Sequence, residues 1–342
     1  MRYDVEVDWF LLYKCNLRCP YCAFSAEALS SDIRTYATPR EWKEAFDATG
    51  KTWLLHITGG EPGIYPDFTG LCEQLAQTHY LSINSNLAHT AFNDFAQRVD
   101  PERVHFFQAS LHYEVRRPEM LEAFVRRVQQ LREAKFAVLV NQVMTPGAVR
   151  IWPEISKFLE GHGLAAIPKT MRGPDHGCHY PGAYTAQEKA LIVDYMEEAR
   201  EKYGEVYASM SEPPTIDLLL EDRFLDGFPD YRGSVCAAGS RFVSIEPNGT
   251  VWRCGRPEVL GNVLFRDVRF LDAPRECDTS YCGPCFCEKY CIETVRNGPE
   301  PRPRPSVLSR MKGTIRSDRY LAKTDGYFGA VVDGAKRLKN AF

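Results

Sequence analysis

The sequence predicts an α/β protein with a closed or partly closed β/α barrel, followed by a small cysteine-rich region. Three observations carry this. Six strand-like segments alternate with helical ones in the first half, which implies parallel βαβ units with right-handed crossovers. A strong hairpin signal, Pro247-Asn248-Gly249, then breaks the alternation. The cysteines are also uneven: three of the 12 lie at Cys15, Cys19 and Cys22, and seven fall between positions 236 and 291.

The elements follow in order. Tyr3 to Tyr13 is rich in Val, Phe and Leu and reads as the first strand. Thr38-Pro39-Arg40-Glu41 is a capping box with Pro at the first helical position, so a helix opens there. Trp53 to Thr58 is a short apolar strand, and a helical pattern runs from Asp67 to Thr78. Tyr80 to Asn84, Val104 to Ser110, Phe136 to Val143 and Leu164 to Pro168 are further strands. Helical stretches near 90–98, 118–134 and 150–161 lie between them. Thr185-Ala186-Gln187-Glu188 is a second capping box, opening a helix to about Tyr203. Residues 205 to 235 read as a connector. Arg241 to Glu246 and Thr250 to Cys254 flank the Asn-Gly turn. Residues 299–342 read as a Pro-rich linker and a basic, solvated tail.

Composition narrows the function. The chain has 342 residues, 44% hydrophobic and 25% charged, which is globular and excludes a disordered or fibrous chain. A net charge of −3 gives no basic excess for a nucleic-acid partner. No apolar run is long enough for a membrane span, and Arg2, Asp4, Glu6 and Asp8 occupy the place of a signal peptide's apolar stretch. The expected compartment is therefore reducing and cytoplasmic. There, clustered cysteines point to metal or catalysis rather than disulfides.

Cys15-Asn16-Leu17-Arg18-Cys19-Pro20-Tyr21-Cys22 follows the first strand, at the end where α/β folds place their ligands. Three thiolates can hold three irons of a [4Fe–4S] cubane, which normally takes four, so one iron keeps open positions. Zinc or a redox Cys pair is the competing reading of these residues alone. Thr58-Gly59-Gly60-Glu61-Pro62 follows the second strand. Its glycines allow close backbone approach, and Glu61 offers a carboxylate to an amino group. A plain helix-capping turn is the alternative.

Together, the C-x3-C-x-aromatic-C spacing with Tyr21 as the aromatic, and the Gly-Gly-Glu-Pro motif, resemble the radical S-adenosylmethionine superfamily. The resemblance covers residues 5 to about 230 and implies a partial (β/α)6 barrel over residues 1–230. It implies that Cys15, Cys19 and Cys22 bind a [4Fe–4S] cluster whose open iron chelates S-adenosylmethionine. It implies that Tyr21 positions the adenine and that Gly59, Gly60 and Glu61 contact the methionine amino group. Asn84-Ser85-Asn86 resembles the family's ribose-contacting segment; Ser110-Leu111-His112-Tyr113 stands where many members have Ser-Leu-Asp-Gly, which implies Ser110 as a cofactor contact and puts His112 in place of the acid. The implied chemistry is one-electron cleavage of the sulfonium, giving a 5′-deoxyadenosyl radical that takes hydrogen from a C–H bond. Its partner is a flavodoxin- or ferredoxin-like reductant.

The second cysteine group runs Cys236, Cys254, Cys277, Cys282, Cys285, Cys287 and Cys291. Its C-x12-G-x4-C and C-x2-C-x5-C patterns resemble the SPASM/twitch extension of that superfamily. This implies an auxiliary domain over residues 231–298 with one or two auxiliary [4Fe–4S] clusters. Val295 stands where the full pattern has a cysteine. Cys236 and Cys254 are the first expected ligands and Cys282 and Cys285 the next, with Cys277 and Cys287 extra; a zinc knuckle is the alternative.

On the substrate side, Lys169 and Arg172 suit a carboxylate or phosphate, and His112 lies near. Cys178 is a candidate hydrogen-atom donor. The expected function is oxidation or epimerisation of a small polar substrate. The alternatives are a peptide maturase that crosslinks or modifies a ribosomal peptide, and a non-catalytic Fe–S or zinc-binding protein.

Overall fold

A computed structural model describes residues 1–175, 177–211, 218–227, 230–254, 258–277 and 287–293. Six parallel strands appear in chain order: β1 (Val5–Leu12), β2 (Trp53–Gly59), β3 (Tyr80–Ser85), β4 (Val104–Ser110), β5 (Val138–Val143) and β6 (Ile167–Lys169). Each pairs in parallel with the next. Helices α1 (Pro39–Asp47), α2 (Phe68–Leu75), α3 (Pro118–Glu133), α4 (Trp152–Glu160) and α5 (Ala186–Ser209) cover the outer face.

The period-2 pattern explains the two faces. On β1, Val5, Val7, Trp9 and Leu11 join the main apolar core, and Trp9 meets Trp42 of α1 at 4.8 Å between ring centroids. The intervening Glu6, Asp8 and Phe10 turn inward: Glu6 bonds His56 of β2, while Asp8 and Phe10 line the central cavity. Lys169 of β6 and Asp8 of β1 line the same cavity. The two ends of the parallel run are therefore brought together, and the sheet curls into a partial barrel.

Both capping boxes form. Thr38 Oγ1 accepts from Glu41 N, Glu41 Oε2 accepts from Thr38 N at 2.7 Å, and Thr185 and Glu188 repeat the arrangement. Three features differ from the sequence reading. Helix α5 continues to Ser209, beyond Tyr203, because Tyr203, Tyr207 and Met210 are buried against Leu218 and Leu219. The helical stretch at 90–98 breaks into a 3₁₀ turn (Thr90–Phe92) and one α turn (Phe95–Arg98). The connector contains a buried 3₁₀ segment, Leu218–Phe224, in which Asp222 pairs with the fully buried Arg200 at 2.5 Å.

The hairpin forms as β10 (Phe242–Ile245) and β11 (Thr250–Trp252), with Gly249 at φ +83° in the turn. Strand β10 pairs in parallel with β1, Glu6 opposite Phe242. Among the described residues the main sheet thus runs β12 (Val259–Asn262), β11, β10, then β1 to β6. A two-stranded hairpin, β7 (Gly173–Asp175) and β8 (Cys178–Tyr180), follows β6, and a small sheet places β9 (Val235–Cys236) between β13 (Arg275–Glu276) and β14 (Cys291–Glu293). The expected linker and tail, 299–342, lie outside the described residues.

Candidate active site

The C-terminal ends of the parallel strands surround a cavity of about 250 Å³. Its walls include Cys15, Cys19, Tyr21, Cys22, Gly59, Gly60, Asn84, Asn86, Ser110, His112, Lys169 and Arg172. Residues singled out over some 160 positions of sequence therefore meet in one space.

The cysteine loop is shaped by its own backbone and by β3. Cys22 N donates to Cys19 O at 3.0 Å, and Leu17 N donates to Cys15 Sγ at 3.4 Å. Asn86 Nδ2, at 3.8 Å from Cys15 Sγ, also bonds Asn16 Oδ1 at 2.8 Å. Burial, reinforced by neighbouring thiolates, pushes Cys15 up to about 11 and Cys19 up to about 12; burial raises Cys22 as well. Three such thiols ionise together only beside a strong positive charge, which bound iron supplies. Among the described residues no three His, Cys, Asp or Glu side chains close on a single ion. A cubane asks for something different, its thiolates on separate irons.

The two glycines have a stricter reason than permissive turns. A Cβ on Gly59 would stand 2.1 Å from Leu12 O, and one on Gly60 2.0 Å from Lys14 O. Gly60 N and Glu61 N donate to Leu12 O and Lys14 O, each at 2.9 Å. The motif thus clamps the root of the cysteine loop to β2.

Glu61 is placed differently from the expectation. It is fully buried and absent from the cavity lining. Its carboxylate accepts from Ser85 Oγ (2.6 Å), Asn86 N (2.7 Å) and Gly63 N (2.8 Å). Burial raises its pKa, against those hydrogen bonds and the Arg116 charge. With its lone pairs engaged by β3 and its own turn, it serves as an internal brace that orients Asn86.

Tyr21 Oη lies 2.9 Å from His112 Nδ1, which joins the cysteine loop to the end of β4. His112 takes a left-handed backbone, φ 49°; burial first, then Arg116 and Lys169, push its pKa down to about 3, so the ring is neutral. Asn84 accepts from Ser110 Oγ (3.3 Å) and donates to Thr58 Oγ1 (3.2 Å).

At the β6 end of the cavity, Arg172 pairs with Glu221. Burial, reinforced by Arg172, lowers the Lys169 pKa; Glu221 and Asp8 oppose this by charge, and among the described residues no hydrogen bond engages the ammonium. Lys169 and Arg172 both line the cavity, Arg172 with its guanidinium paired to Glu221. Cys178, the candidate hydrogen-atom donor, lies apart from the cavity residues. It is exposed on the β7–β8 hairpin and absent from the cavity lining, because that hairpin leaves the barrel after Lys169.

Three residues were missed in the sequence. Arg116 is buried, donates to the carbonyls of Leu111 and Asn86, and stacks 4.7 Å from the Phe124 ring; its charge bears on Glu61, Cys19 and Tyr21. Asp8 and Glu221 bring negative charge to the cavity. An acid placed inside an apolar strand was the available signal for Asp8.

In the second cysteine group, Cys236, Cys254, Cys277 and Cys291 are described, and Cys236 and Cys291 are buried. Cys282 and Cys285 lie outside the described residues, as does the side chain of Cys287. Among the described residues no helix is long and apolar enough to cross a membrane.

A barrel whose strand ends gather three thiols, a glycine clamp and a mixed-charge pocket defines a protein that holds a metal cluster and a small cofactor together. Residues 9–155 match the radical SAM superfamily, so this stretch of the chain is a radical SAM domain. Its cofactors are S-adenosylmethionine and a [4Fe–4S] cluster, which the donor set of the cysteine loop fits. The chain is 24% identical to the mycofactocin maturase MftC of Mycobacterium tuberculosis, covering 93% of this chain and 86% of that relative. It is 25% identical to the PqqA peptide cyclase of Ruegeria pomeroyi, covering 75% of this chain and 68% of the relative. The fold is similar to that of Streptococcus suis SuiB bound to S-adenosylmethionine. The TM-score is 0.52 at 15% identity, covering 78% of this chain and 64% of SuiB.

Proposed function

We propose that this radical SAM enzyme is a peptide maturase, acting on a C–H bond of a ribosomally made peptide. The observation that carries the reading is the match along 93% of the chain to a maturase, beside one along 75% to a peptide cyclase. It favours the peptide alternative over the small polar substrate of the first expectation.

Bound at Cys15, Cys19 and Cys22, the cluster and S-adenosylmethionine supply one-electron hydrogen-abstraction chemistry. The chain's residues do the rest. The Gly59-Gly60 clamp and the Glu61 brace fix the loop. Arg116 offsets the negative charge of Glu61 and the thiolates. Tyr21, Asn84 and Ser110 line the cofactor's side, with neutral His112 holding the Tyr21 hydroxyl. Lys169 receives a carboxylate of the peptide, while Arg172 and Glu221 neutralise each other beside it.

The test is anaerobic reconstitution with iron and sulfide, reduction with dithionite, and chromatography for 5′-deoxyadenosine. The assay is run with synthetic peptides from short reading frames beside the gene, and in parallel with a panel of sugars and cyclitols. Peptide-stimulated 5′-deoxyadenosine with a peptide mass change is expected. Stimulation and a mass change among the sugars alone would overturn the peptide reading.

A further inference from the structure

The β10–β11 hairpin reaches the wall of the cavity through one residue. Glu246 follows β10, opens the Asn248-Gly249 turn and is 8% exposed. Its backbone is held on both sides: Glu246 N donates to Thr250 O at 3.0 Å, and Gly249 N donates to Glu246 O at 2.9 Å. Asn262 Nδ2 donates to Asn248 O at 2.9 Å, and a Cβ on Gly249 would stand 2.8 Å from Asn262 Oδ1. The carboxyl group is therefore carried on a firmly packed support. It accepts from the Tyr13 hydroxyl, 233 positions earlier in the chain. Burial disfavours the Glu246 charge, and the Tyr13 hydrogen bond favours it. Leaving that acceptor unpaired would expose the full desolvation cost of a buried group.

Tyr13 belongs to a small aromatic group apart from the main core. Its ring centroid lies 6.3 Å from that of Phe10 and 5.5 Å from that of Phe24, and the latter two are 6.1 Å apart. Phe10 and Phe24 line the cavity, with Tyr13 behind them. Phe10 is fixed by β1, where it pairs with Thr58. Phe24 belongs to no strand. It follows the cysteine loop, and the next residues, Ser25 to Glu27, are exposed. Its backbone N–H bonds the Cys22 sulfur, so a shift of Phe24 carries that end of the cysteine loop with it. The Tyr13 carbonyl is packed on Gly60, where a Cβ would stand 2.4 Å away. With the backbone held, the ring keeps its side-chain torsions, and the bond to Glu246 fixes them.

We propose that Glu246 is a positioning residue of the radical SAM site: through the Tyr13 hydroxyl it holds the Phe10–Phe24 wall of the cavity and the Cys22 end of the cysteine loop. Glu246 is absent from the cavity lining and works at one remove. The strand after its turn, β11, leads to Cys254, so packing of the cysteine-rich region on β1 completes the wall of the first site. The inference takes radical SAM chemistry as given and does not depend on the peptide reading.

The test compares Glu246→Leu, Glu246→Gln and Tyr13→Phe in the full chain. Glu246→Leu keeps bulk and removes the acceptor. Glu246→Gln keeps a carbonyl oxygen that accepts from Tyr13. Tyr13→Phe keeps the ring and removes the donor. In the metal-free chain, hydrogen–deuterium exchange over residues 19–28 should speed up about tenfold in the Leu and Phe variants, the weight of one hydrogen bond to a charged group. Glu246→Gln should stay near the parent, and the Glu246→Leu/Tyr13→Phe double variant should be no faster than either single. After anaerobic reconstitution, the Leu and Phe variants should hold the parent's iron. Their KM for S-adenosylmethionine cleavage should rise by a larger factor than kcat falls, and the EPR change that S-adenosylmethionine causes in the reduced cluster should differ from the parent's. Glu246→Gln should restore both. The proposal fails if exchange over 19–28 is unchanged, if it speeds up equally throughout the barrel, or if Glu246→Gln is as impaired as Glu246→Leu. It fails too if the segment loosens while KM and the EPR change keep their parent values. Should Glu246→Leu not fold, Tyr13→Phe, which loses a single oxygen, decides the same points.

Discussion

Replacing Gly60 by Ala tests whether the glycine pair is a mechanical clamp. The added methyl would stand 2.0 Å from Lys14 O and 2.4 Å from Tyr13 O. Both are backbone atoms, so no rotamer change relieves the overlap. The chain at Tyr13 to Lys14 has to move, which strains or breaks the Gly60–Leu12 and Glu61–Lys14 hydrogen bonds. Two hydrogen bonds at about 1 kcal/mol each, with overpacking strain of about 1–3 kcal/mol, give a loss of about 3–5 kcal/mol. For a chain of this size that lowers the melting temperature by about 5–15 °C. Because Cys15 is the next residue along, iron at the first site should fall with it. The assay is anaerobic thermal unfolding with iron counted per chain. Gly182→Ala serves as control, since its Cβ meets nothing closer than His179 O at 3.6 Å. A Gly60→Ala protein that melts within about 2 °C of the parent and holds its full iron would refute the clamp.

Other consequences can be measured alongside. Burial, against the Tyr13 hydroxyl, pushes Glu246 up to about 7 from 4.5; the folded state holds that proton longer, so stability falls as pH rises from about 4.5 to 7, by about 3 kcal/mol. Glu246→Gln should flatten that part of the curve, read as urea midpoints at pH 5 and pH 8, and an unchanged slope would exclude Glu246 as its source. Asp222→Ala leaves the buried Arg200 guanidinium with Leu219 O and the partly exposed Glu197 carboxylate and should cost about 3 kcal/mol in chemical denaturation, with Arg200→Met/Asp222→Leu recovering most of it. Lys169→Met should weaken binding of a carboxylate-bearing peptide by about 10- to 100-fold, from the 1.5–3 kcal/mol of a charge-assisted hydrogen bond; unchanged titration calorimetry would remove Lys169 from the substrate site.

The first strands and helices were legible because each writes its own local pattern: Val, Phe and Leu enrichment on β1, a short apolar run on β2, and capping boxes at Thr38 and Thr185. The cysteine loop was legible for the same local reason, its three thiols lying within eight positions. Relations between distant segments left no such trace. Nothing near Glu221 announces that it will meet Arg172, forty-nine residues earlier. The carboxylate of Glu61 reads as a ligand in sequence. Only the fold shows three protein donors filling it before any ligand arrives. The meeting of Tyr13 with Glu246 depends on the pairing of β10 with β1, which spacing does not encode.

The parallel pairing of β10 with β1 gives these distant relations a common origin. One end of β1 leads into the Cys15 loop. Its other end holds Glu6, fully buried, which accepts from Lys289 Nζ at 2.6 Å and from Tyr290 Oη, beside Cys291. Burial alone would raise the Glu6 carboxyl; Lys289 and His56 overcome that and hold it well below the usual carboxylate range. Removing one partner from such a buried pair costs about 3–5 kcal/mol, so docking of Lys289 stabilises this end of the barrel, where His56 and Tyr3 also bond Glu6. Through β10 the same strand orients the hairpin that delivers Glu246 and Cys254. A single strand therefore sets both cysteine groups, and displacing Lys289 disturbs the second group while leaving the Gly59-Gly60 clamp of the first intact.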